Sequence, residues 1–208
     1  DTLFYIRDIS TSVLHMGNLV KGRLEFGDIE MNGLNFKLKT YKGETNTNLN
    51  VFIEKLDDKQ PRPPGTPPFF FSTGLVEINN SKFRLLDENL ENEQLLYFRN
   101  LDIRANDFVI VGPKVQADIS DMSFQSTKGL QVQQLATEFQ YTKEQMRFDS
   151  LHLETGESTL NGKLVFNYQR EDFKDFMNKV QLEAEFVEST VAFDEINKLY
   201  DQFGKKKT

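Results

Sequence analysis

Residues suited to chemistry are scarce in this chain. It has two histidines, His15 and His152, and no cysteine. A Cys–His nucleophile pair is therefore impossible, and a Ser–His–acid triad would have to be built on one of those two rings. His152 stands in Phe148-Asp-Ser-Leu-His-Leu153, in a slot of polar alternation that suits a solvated strand residue better than a general base. His15 lies between Val13-Leu14 and Met16-Gly17, as a loop or strand-end residue would.

The carboxylates are many but dispersed. Asp57-Asp58 and Asp87-Glu88 are adjacent pairs, and neighbours on a strand point to opposite faces, which suits them poorly to shared acid–base work. Asp87-Glu-Asn-Leu-Glu-Asn-Glu93 lacks the glycine and the spacing of a calcium loop and reads as a solvated acidic loop. No glycine-rich phosphate loop of either common type occurs. Without cysteine there is no thiolate metal site. A formal charge of −7 argues against nucleic acid as a partner, and the basic run Lys205–Lys207 sits in the tail. The expectation is a non-enzymatic protein with no catalytic residues, no metal and no cofactor.

What remains is architecture. The 19 phenylalanines in a chain only 38% hydrophobic point to strand faces rather than a helical bundle. Period-two alternation runs through Arg23-Leu-Glu-Phe-Gly-Asp-Ile-Glu-Met31 and Leu160-Asn-Gly-Lys-Leu-Val-Phe-Asn-Tyr168. It also runs through residues 107–119, where Phe108 and Ile110 precede a Gly-Pro turn and Val115, Ala117 and Ile119 follow it. Three stretches carry helical spacing instead: Leu49, Phe52, Ile53 and Leu56 near 48–57; Phe173, Phe176, Met177 and Val180 near 171–178; and Ile196, Leu199, Tyr200 and Phe203 near 195–203, with Asp194 as N-cap. Such short helices must lie against the sheet.

A second rhythm is superimposed on the alternation. Phe98-Arg-Asn-Leu-Asp-Ile103 steps three and then two between apolar positions. Met31 to Phe36, Ile119 to Phe124 and Phe148 to Leu153 repeat it, with weaker copies over 78–83 and 132–137. The extra residue is what a bulge or two-residue corner supplies, bending the strand while both flanks keep one face. Asn32-Gly33, Asn79-Asn80, Arg99-Asn100, Ser120-Asp121 and Asp149-Ser150 occupy the corners. The irregular spacing of the copies departs from a strict solenoid. The fold expected is mainly β: a long, curved, taco-like sheet, antiparallel and meandering, with degenerate repeats and a few short helices.

Five of the six prolines fall within residues 61–68, in a run that can join neither ladder nor helix. It separates a block over 1–60 from a longer one over 69–208, either as a stiff linker or as a long loop inside one sheet. No stretch reaches the roughly 20 apolar residues of a membrane span. The start at Asp1, already in a strand-like Thr2-Leu-Phe-Tyr-Ile6, suggests a piece of a longer polypeptide.

The stretch Gly17 to Phe36, followed by Thr45-Asn-Thr-Asn-Leu-Asn-Val-Phe-Ile53, resembles the amino-terminal region of the AsmA/TamB-like family (translocation and assembly module type), in the form found in Bacteroidetes. Gly74 to Leu85, Ile119 to Phe124 and Glu188 to Ile196 also fit that family's cadence. The resemblance implies a taco-shaped sheet with an apolar groove, standing in the periplasm as part of a longer protein anchored in the inner membrane. Such a protein would guide phospholipid, or another acyl-chain ligand, to the outer membrane. Alternatively it would assist assembly of outer-membrane barrel proteins by β-strand pairing at its edges. The resemblance carries over no catalytic residues. Leu101, Ile103, Ile119, Met122, Phe124, Leu151, Leu153, Leu164 and Phe166 are the candidate groove residues. They would equally serve as a dry core.

Overall fold

The computed structural model describes residues 2–12, 23–49, 51, 68–90, 94–127, 129–169 and 179–195. Eleven strands make one open, curved sheet: β1 (Phe4–Tyr5), β2 (Asp8–Thr11), β3 (Arg23–Asn32), β4 (Asn35–Thr40), β5 (Phe70–Asp87), β6 (Gln94–Val111), β7 (Lys114–Ser126), β8 (Gln131–Tyr141), β9 (Gln145–Thr155), β10 (Thr159–Asn167) and β11 (Gln181–Thr190). From β5 to β11 each strand pairs antiparallel with the next, as alternating segments joined by short turns do. The Gly112-Pro113 turn between β6 and β7 is one of these, with Gly112 at φ 56°.

The start of the sheet is different. β3 and β4 both run parallel to β5, end to end along it, so that Met31 lies beside Ile78 and Phe36 beside Phe83. β2 and β1 line their outer side. Parallel neighbours need a long connection; the residues between β4 and β5, with the proline run over 61–67, lie mostly outside the described residues. Strands from both sides of the run therefore share one sheet.

The corners are real backbone features. φ is positive at Gly33, Asn80, Asn100 and Ser150, in each case the second residue of an expected corner. Asp107 and Glu188 show the same conformation at two corners the sequence reading passed over. Ser120-Asp121 bends without it: the β6–β7 register shifts opposite these residues, between Arg104 and Ala105. Corners of adjacent strands are stitched side by side. The Gly33 amide donates to the Asn79 carbonyl (2.9 Å), the Leu34 amide to Ser81 Oγ (3.0 Å) and the Asn80 amide to Asp102 Oδ1 (2.8 Å). Ser81, 1% exposed, is the most buried side chain of this seam. A bulge leaves backbone groups unpaired, and these contacts satisfy them.

The expected helices lie mostly outside the described residues. Asn48, Leu49 and Val51 are helical, but the rest of 48–57 falls outside, as do residues 170–178 and everything after Glu195. The last described turn begins at Phe193, two residues earlier than an Asp194 cap requires. Its start is set instead by docking: the Ala192 amide donates to Ser158 Oγ (2.9 Å) in the β9–β10 turn. Buried Glu195 accepts hydrogen bonds from Thr155 Oγ1 (2.5 Å) and from Ser158 Oγ.

Candidate functional site

Residues opposite one another in a sheet share a face. Following the register outward from β6, Ile103 faces Ile78 and Met122; Val115, Tyr141, Met146, Phe166 and Leu182 then succeed one another across β7 to β11. Ala117, Phe139, Phe148, Leu164 and Ala184 form the next row. Leu135, Leu153 and Leu160 make a third beyond the corners, and Leu151, Gly162 and Phe186 a fourth. Six of the nine candidate residues, Ile103, Met122, Leu151, Leu153, Leu164 and Phe166, fall in these rows; Leu101 and Phe124 pack in one cluster with Ile103, Met122 and Leu153, and Ile119 stands opposite Ala105 and Thr137. The corners make this clustering possible, because they keep Phe98, Leu101 and Ile103 on one side where strict alternation would send one of them across.

Aromatic rings ladder along that face. Phe36, Phe83, Phe98 and Phe124 follow one another at centroid separations of 5.9, 5.7 and 4.1 Å. Phe26, Phe71 and Phe108 form a second row at 5.4 and 6.0 Å, and Phe139, Phe148 and Phe166 a third at 5.3 and 6.1 Å. Such pairs contribute about 0.5–1.5 kcal/mol each beyond the burial they bring. Apart from Phe124 and Phe166, these rings were not among the candidate residues, although each occupies an apolar beat of its strand.

Burial along the face is uneven. Leu101, Phe124, Leu130 and Val132 form a buried cluster, with Phe83, Phe98, Ile103, Met122, Leu135 and Leu153 packed against it half-buried. Leu151 is buried as well, whereas Ile119, Leu164 and Phe166 are half-buried and Leu182 and Phe186 are exposed. Every pair of strands in substantial contact is a hydrogen-bonded neighbour pair. Among the described residues, no second sheet lies over the apolar side.

The opposite face is charged, with Val165 buried on it between Arg147 and Glu183. Arg104 pairs with Glu77, Arg147 with Asp149 (2.9 Å), and Lys163 lies 3.9 Å from the same Asp149 carboxylate. His152 belongs to this side but is not merely solvated. Its ring is half-buried, with Nδ1 2.7 Å from Asn161 Oδ1 and Nε2 3.3 Å from Glu154 Oε1. His15 lies outside the described residues.

The acidic loop after β5 is likewise more than a solvated turn. Glu88 accepts from Lys39 Nζ (2.5 Å) and the Lys42 amide (3.1 Å), and its carboxyl is held below the usual range chiefly by the Lys39 hydrogen bond. Among the described residues no three His, Asp or Glu side chains come together as a metal cluster would require, and no helix is long and apolar enough to cross a membrane. No known protein family, curated protein or solved structure matches this chain.

Proposed function

We propose that this chain is a non-enzymatic β-scaffold that holds acyl chains of phospholipid, or of a lipid like it, along its apolar face. The observation that carries this reading is the continuity of that face from Phe36 on β4 to Phe186 on β11, with most of its side chains only half-buried. Each methylene that such a face covers contributes about 0.8 kcal/mol. Apolar contacts have no direction, so an acyl chain is free to slide from one strand's residues to the next. The polar, ion-paired opposite face keeps the other side of the sheet in water. The family resemblance supplies the setting: a periplasmic segment of a longer protein anchored in the inner membrane, guiding lipid toward the outer membrane.

The test is direct. The purified chain should carry phospholipid detectable by mass spectrometry and should take up a fluorescent phospholipid from vesicles. Replacing Leu153 and Phe166 together by Asp should abolish both while the circular dichroism stays β-rich; Val187→Asp, on the wet side of the edge strand, should leave both intact. Absence of lipid from the unmodified chain, or equal lipid in the double variant, would overturn the reading.

A further inference from the structure

The sheet ends on one side in β11, a ten-residue strand that is regular up to a bulge at Glu188 and has no pairing partner on its outer side among the described residues. Natural edge strands are shortened, kinked by proline or studded with lysine to prevent further pairing. β1 and β2, at the other end, follow that rule with two and four residues. β11 is longer, has neither proline nor lysine and carries its bulge, at Glu188, only near its end; it exposes Leu182 (58%), Phe186 (42%) and Val187 (64%).

Its charge selects what can pair there. Glu183 and Glu185 stand at alternate positions on the face opposite Leu182, Ala184 and Phe186, and Glu188 follows at the corner. Glu183 accepts only the Asn167 side-chain amide (2.8 Å), and Lys163, opposite Glu185, lies against Asp149 instead. Among the described residues neither acid has a cationic partner. An antiparallel second copy in the register centred on Glu185 would set that residue against itself, and like charges directly opposite destabilise a strand pair.

We propose that β11 is a docking edge for an extended segment of another protein, a strand that alternates apolar residues with lysine or arginine. Its apolar side chains would prolong the row of Leu182, Ala184 and Phe186, and its cations would lie over Glu183 and Glu185. Main-chain hydrogen bonds to β11 would supply the affinity and the alternation the specificity. The proposal stands whether or not the apolar face carries lipid.

The experiment uses the full chain and two ten-residue fluorescent peptides, one alternating Leu with Lys and the other Leu with Glu, read by anisotropy at low salt. The Lys peptide should bind about tenfold or more tightly than the Glu peptide. It should also slow amide exchange across residues 181–190. Glu183→Lys with Glu185→Lys should reverse the preference without altering lipid content. Equal binding of the two peptides, no binding of either, exchange protection elsewhere, or a sedimentation result showing β11 occupied by a second copy would each overturn the proposal.

Discussion

Asn100 holds φ at +49° between Phe98 and Leu101, a conformation that costs most L residues about 1–2 kcal/mol and that Asn and Gly tolerate best. Replacing it with Gly should leave stability within about 0.5 kcal/mol, whereas the β-branched Val should lower it by about 1–2 kcal/mol. Urea unfolding followed by circular dichroism separates the two, and an equal effect would show that the corner is not the constraint. The neighbouring signals explain which corners the sequence discloses. Asn79-Asn80, Arg99-Asn100 and Asp149-Ser150 are flanked by strong apolar residues on at least one side, so the three-then-two beat stands out. Asp107 and Glu188 also have one strongly apolar flank, Phe108 and Phe186, but with Ala105 and Ser189 on the other side the beat there is fainter. The same local parity is what makes a shared face readable for the nine candidate residues, without deciding between groove and core. The ring ladders are not readable in this way, because the pairing of Phe83 with Phe98 is a matter of register between strands rather than of order along one.

Elements depend on fastenings that lie outside the alternation. Tyr168, just past β10, is 5% exposed; its hydroxyl donates to the Thr142 carbonyl (3.0 Å) and its amide to the Glu144 carbonyl (2.9 Å), tying the end of β10 to the β8–β9 turn. Burial raises its pKa well above the ordinary phenol range, and the nearby Tyr141 adds to the shift. The folded chain therefore keeps this proton where the unfolded chain, titrating near pH ~10, has lost it. The stability contributed is fully present below pH ~10 and is lost as pH rises through the folded value. Tyr168→Phe should be about 1 kcal/mol less stable at neutral pH, through the missing hydrogen bond, yet decline less steeply in alkali. Melting temperatures between pH 8 and 12 read both effects; parallel declines would mean another group is responsible. The Leu160–Tyr168 alternation predicts the strand but not this lock, nor the parallel placement of β3 and β4 along β5. A period of two says which face a residue takes and nothing about which strand lies beside it.

At the largest scale, the described strands form a single layer in which each leans on its hydrogen-bonded neighbours, and such a layer should behave as a sum of adjacent interfaces rather than as one indivisible core. Gly162 allows this to be tested. A β-carbon built there would lie 2.0 Å from the Glu185 carbonyl oxygen of β11, and φ is +146°, a region closed to other residues. Because the obstruction is backbone, no side-chain rearrangement relieves it, and Gly162→Ala must push β11 away from β10. In a sandwich, that displacement would disturb the facing sheet and weaken the entire fold. Here, among the described residues, β11 has substantial contact with β10 alone, so the damage should stop there. Amide exchange in residues 159–167 and 181–190 should accelerate by roughly tenfold or more, while β5, β6 and β7 keep their protection. Uniform acceleration would instead reveal a cooperative core that the strand contacts do not show. Local failure is also what a scaffold assembled strand by strand would need, since such a sheet can grow or shorten at an edge without unfolding its centre.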